Sequence, residues 1–116
     1  MSKCWLHNFG GAITVCDTEG KIVYMNKKAL SAYAVDGGAK LLGQNVLDCH
    51  PEPARSKTAA MLQNQETNCY TVEKNGVKKL LYQAPWYKET GEYGGLVELS
   101  LEIPADMPHY IRQPKS

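Results

Sequence analysis

Asn75-Gly76 stands between two runs that read as strands, "TNCYTVE" before it and "VKKLLYQAPWYKE" after it. Both residues tolerate positive φ, so the pair closes a tight turn whose twist matches the strands that it joins. This dipeptide commits the last third of the chain to an antiparallel hairpin. Beyond "TGEYGG" comes "LVELSLEI", in which Val97, Leu99, Leu101 and Ile103 alternate with Glu98, Ser100 and Glu102. That period is the mark of a strand with one buried face.

The first third repeats the device. "AITVCD" (12–17) and "KIVYMN" (21–26) are β-branched or aromatic and are separated by a short Asp- and Gly-containing connection, a second hairpin signal. Between the hairpins the period lengthens. "KKALSAYAVDGGAKLLG" places Ala29, Leu30, Tyr33 and Ala34 close to one helical face until Gly37-Gly38 interrupts it, so a short helix, a glycine break and a further turn of helix are expected. From Asp48 the wording becomes "DCHPEPARSKTAAMLQNQ", with Pro51 and Pro53 at the front. Proline is tolerated in the first turn of a helix, so a helix over about 52–64 is predicted, capped by Asp48 or Cys49. The tail "PADMPHYIRQPKS" carries three prolines in 13 residues and is expected to be irregular, packed locally through Met107, Tyr110 and Ile111. The order of elements gives an α+β domain, an antiparallel five-stranded sheet with its helices grouped on one face.

At 116 residues, 43% hydrophobic and 22% charged, the chain suits one compact domain over 1–116. Lys and Arg number 13 against 12 Asp and Glu, a formal charge of +1, which offers no broad pull towards nucleic acid or an anionic membrane surface. No apolar run approaches the roughly 20 residues that cross a bilayer, and "MSKCWLHNFGG" has no apolar signal-peptide region, so a cytoplasmic location is expected. Cys4, Cys16, Cys49 and Cys69 lie at intervals of 12, 33 and 20 residues, without a CxxC pair. That spacing argues against a structural zinc site and a disulfide framework, leaving thiols that act as small hydrophobes.

"ITVCDTEGKIVYMNKKAL" resembles the opening hairpin of the PAS domain family, which ends in an Asn before a helix. "KLLGQNVLDC" is similar to the family's leucine-glycine turn, and "GEYGGLVELSLEI" to its final hairpin. The resemblance covers about 9–103. It implies strand order 2-1-5-4-3, helices enclosing a pocket on one sheet face, and a sensory or interaction module that binds a small molecule or partner and often dimerises. "GQNVLDCHPEPAR" is similar, more finely, to a bacterial subgroup with Cys-His-Pro at this place. The chain departs from signalling members in ending its last strand with Leu101-Glu102-Ile103-Pro104, where Pro104 opposes a helical lever. No kinase, cyclase or DNA-binding segment follows in this sequence, so output through association with another protein is expected.

Cys49-His50-Pro51 is the stretch where chemistry would concentrate. The resemblance allows haem on His50, with Cys49 as a thiolate alternative, although haem needs a large apolar cavity and His50 has no recognisable partner. It makes flavin photochemistry improbable, because Cys49 comes four positions after Asn45 and not directly after it. A Cys-His nucleophile pair would make the chain a small thiol-dependent enzyme, but adjacent side chains diverge, and a partner such as His7 or His109 would have to come from elsewhere. The bland reading is that the stretch starts a helix. A helix N-terminus also leaves backbone N–H groups where an anionic group could dock.

Asn26 is read first as a turn-orienting residue and secondly as a pocket residue. Tyr24, Tyr33, Met61, Tyr82 and Trp86 are core or pocket lining, and the parity of "LLYQAPWY" leaves open whether Tyr82 and Trp86 face inward or form an aromatic dimer surface. The expectation is a non-enzymatic PAS-type module binding a small apolar or anionic ligand as a homodimer. The candidate pocket is His50, Cys49, Asn26, Tyr33, Met61 and Tyr82. No metal is expected unless haem is bound at His50.

Overall fold

The computed structural model describes residues 4–49 and 51–115, Cys49 through its backbone only; His50 therefore lies outside the described residues. Both predicted hairpins form. β1 (Ala12–Cys16) and β2 (Ile22–Met25) are joined by a turn in which Asp17 Oδ1 accepts from the Glu19 and Lys21 amides at 3.0 and 2.9 Å. β3 (Asn68–Lys74) and β4 (Val77–Tyr87) meet at Asn75-Gly76, both with positive φ. β5 (Tyr93–Ile103) completes one antiparallel sheet in the order β2-β1-β5-β4-β3. β5 starts before the predicted "LVELSLEI" because Tyr93 already pairs with Tyr87 and Gly95 with Trp86, Gly94 being the extra residue between them where the register shifts.

The centre of the sheet is unusually tight at that point. Gly95 has φ of +137°, and a Cβ there would run into the carbonyl of Cys16 at the end of β1. A Cβ on Gly94 would collide with the Trp86 ring. Two residues without side chains thus let the Trp86 indole reach from β4 to β1, where its Nε1 donates to the Cys16 carbonyl at 3.0 Å. Pro85 is accommodated in β4 because β3 pairs only as far as Gln83, leaving no ladder partner for the missing N–H on that side.

Asn26 is the joint between sheet and helices. It is fully buried and caps α2 (Lys27–Ala32), its Oδ1 accepting from the Ala29 amide at 3.0 Å and from the Ile13 amide at 2.9 Å. Its Nδ2 donates to the carbonyls of Gly11 at 2.9 Å and Leu6 at 3.2 Å. One side chain therefore ties α1 (Cys4–His7), β1 and α2 together with every polar position used. Two 3-10 turns follow, Ala34–Asp36 and Gly38–Leu41, split by Gly37 at φ +116° as the glycine break predicts.

The next segment differs from expectation in one respect. Val46–Cys49 is a separate 3-10 turn, and α3 runs Ala54–Asn64, two residues later than predicted. The cap is neither Asp48 nor Cys49. Pro53 stands at the N-cap without a side-chain bond, and Glu52 before it folds over the first turn, Oε1 accepting from the Ser56 amide at 3.0 Å and from the Ser56 hydroxyl at 2.7 Å. A carboxylate already satisfies this helix start, which is therefore no ready dock for an anionic ligand.

Helices and 3-10 turns cover one face of the sheet. α2 buries Ala29 against Ala12, Ile22, Met25 and Leu41, and α3 buries Met61 and Leu62 against Cys16 and Leu96. Register resolves the parity that the sequence left open. Gln83 pairs with Glu98 and both face the helices, so their neighbours Tyr82 and Leu99, paired with each other, point to the opposite face. The apolar row Val97, Leu99, Leu101 and Ile103 is thus half-buried on the face away from the helices. The tail 104–115 is irregular as expected, but Met107, Tyr110 and Ile111 do not pack: they are 53%, 72% and 84% exposed.

Candidate ligand cavity

Between the two small cores, the sheet and its helical cover part to leave a cavity of about 410 Å³, within the size range of small-molecule sites. Its apolar surface comes from the two clusters, with Met25, Leu41 and Ile22 on one side and Met61, Leu96 and Cys16 on the other. Each of these side chains is more than nine-tenths buried, so the floor is fixed by packing.

The sheet supplies the polar wall. Tyr33, just after α2, reaches across to β5, its hydroxyl donating to Glu98 Oε1 at 2.8 Å. From the other side, Gln83 of β4 donates through Nε2 to Glu98 Oε2 at 2.8 Å, and Asn68 of β3 donates to Gln83 Oε1 at 3.2 Å. A chain of four side chains from one helix end and three strands thus holds one carboxylate at the cavity wall. Thr14 and Thr58 add hydroxyls, while Asp36, Gln44 and Asp48 line it too, with Val46 and Val97 beside them. None of the described lining residues is Lys or Arg.

This surrounding sets the protonation of its neighbours. Burial first, and then the Glu98 charge and hydrogen bond, push the Tyr33 phenol well above its ordinary value of 10.0. Burial likewise raises the Cys16 thiol, with Asp17 and Glu98 adding to it, a direction that disfavours the thiolate.

Of the expected pocket residues, the structure brings Tyr33 and Met61 to the cavity. Asn26 lies outside the lining, its polar atoms consumed by the backbone, and Tyr82 lies on the opposite face, 44% exposed. Tyr24 accepts or donates with His7 Nδ1 at 3.3 Å, away from the cavity. His50 and the Cys49 side chain lie outside the described residues. Glu98 and Gln83 were not anticipated. The signal lay in β5 itself: a glutamate inside a strand that the strand order makes central deserves a partner or a ligand.

The described lining holds no imidazole and no cation, and no group of three or more metal-ligating side chains occurs among the described residues. His7 is engaged with Tyr24, and His109 stands in the exposed tail. The anionic half of the ligand expectation fits poorly, because carboxylates line the cavity.

The family model described as "PAS fold" matches residues 6–105. Among solved structures, the PAS domain of BvgS from Bordetella pertussis superposes with a TM-score of 0.64 at 16% identity, covering 84% of this chain and 80% of that one. A sensory box sensor histidine kinase from Vibrio cholerae gives 0.62 at 18%, covering 85% and 86%. A receptor from Vibrio cholerae described as a dual PAS-heme oxygen sensor gives 0.58 at 23%, covering 81% and 95%. No curated protein sequence matches significantly. No helix among the described residues is long and apolar enough to cross a membrane.

Proposed function

The chain belongs to the PAS-fold family of sensor domains, and on that premise we propose that it is a sensory module that binds a small organic ligand between sheet and helices and signals by association with a second copy of itself or a separate protein. The observation that supports this most is the cavity itself: a fixed apolar floor facing one oriented carboxylate is the usual composition of a small-molecule site.

Native mass spectrometry of freshly purified protein, together with its absorbance spectrum, tests the reading. A copurifying small molecule, or a saturable rise in Tm with a small organic compound, is the expected result. A Soret band would replace it with the haem alternative through His50. A marked depression of the Cys49 thiol pKa in alkylation kinetics would favour the thiol-dependent alternative.

A further inference from the structure

The polar wall of the cavity has a charge without a counter-charge. Tyr33 and Gln83 are neutral donors: each fills one position on the Glu98 carboxylate, orienting it without cancelling its charge. The described lining contains no Lys or Arg, and Glu98 forms no salt bridge among the described residues. A carboxylate accepts about four hydrogen bonds, so about two acceptor positions stay open beside the cavity. Withdrawing a carboxylate from water is unfavourable unless a cation or further donors compensate it. Asp36 and Asp48 at the same cavity add charge of the same sign, which repels anions and attracts cations.

The geometry points to a small organic cation as the ligand class: a protonated amine whose ammonium group docks on the free lone pairs of Glu98 while its apolar body lies on Met25, Met61 and Leu41. This rests on the reading of the cavity as a ligand site and goes beyond it in naming the chemistry. Tyr33 and Gln83 act as positioning residues, holding the carboxylate so that an ammonium enters between two bonds already made. A carboxylic acid of the same size would place two anions in one half-buried site. An alcohol would leave the charge uncompensated.

The test is a matched series on the whole chain at neutral pH, using phenylbutylamine, phenylbutanol and phenylbutyrate, read by calorimetry and by methyl NMR of Met25 and Met61. Phenylbutylamine is expected to bind about tenfold or more tightly than phenylbutanol, with phenylbutyrate weakest. Glu98→Gln should erase the advantage of the amine while leaving phenylbutanol binding in place, and Tyr33→Phe should reduce that advantage in part. Equal binding of all three compounds would overturn the cation assignment and leave the cavity as a ligand site. No shift of the methionine methyls with any compound would overturn both. Should Glu98→Gln fail to fold, the wild-type series and Tyr33→Phe still decide between these outcomes.

Discussion

Two residues show how much a single side chain can decide in this domain. Asn26 has one backbone partner in each of α1, β1 and α2 and a fourth at Gly11, just before β1. Asn26→Ala is expected to destabilise the fold by about 3 kcal/mol, by removing a helix cap and leaving buried backbone groups unpaired; urea denaturation measures it. The sequence made its position after a strand legible and allowed the turn-orienting role that the structure shows. Tyr33 carries a different expectation. Its phenol keeps its proton in the folded state to a higher pH than in the unfolded chain, so its contribution is complete below about pH 10 and declines as the pH rises. Tyr33→Phe should flatten the alkaline limb of a stability–pH curve, and Cys16, Tyr70 and Tyr93, also raised, should account for what slope remains. Glu98 was missed because alternation marks two faces of a strand without saying which of them meets the helices.

At the scale of elements, the strands were readable and the start of α3 was not. Asn75-Gly76 and the Asp17 turn are local chemistry, complete within a few residues. The boundary of α3 depends on Glu52 folding back onto Ser56, a competition among Asp48, Cys49, Glu52 and two prolines that spacing alone does not rank. β5 was read from its alternating half, whereas its glycine half is defined by Trp86 and Cys16, strands away in the fold. Gly95→Ala should therefore cost on the order of 3 kcal/mol or more, through left-handed strain and collision with backbone that has no room to move. Thermal unfolding checks this, and a value within 0.5 kcal/mol of wild type, the usual span for surface substitutions, would mean that β5 is not held to β1 in this way.

For the whole molecule, the sheet has two different faces. One meets the helices and carries the cavity; the other presents Leu80, Tyr82, Leu99 and Leu101 half-buried or exposed, with Phe9 and Leu101 beside Gly11. If this second face joins two copies, Tyr82→Glu should convert a dimer into a monomer in sedimentation velocity without lowering Tm, because Tyr82 makes no contact with the cavity. A variant that stays dimeric would place the association elsewhere. The strand order and the layering followed from the motifs. The absence of packing in the tail did not, since three prolines predict irregularity but not where apolar side chains come to rest.

The indole of Trp86 gives the domain a gauge of its own. It bridges from β4 to the carbonyl of Cys16, and the side chain of Cys16 is part of the cavity surface. Trp5, the second tryptophan, is 71% exposed. In Trp5→Phe the one tryptophan left would be Trp86, bonded to the backbone of a residue that lines the cavity, so its fluorescence should change on filling of the cavity while the sheet remains intact. Occupancy could then be read by light, with no label attached.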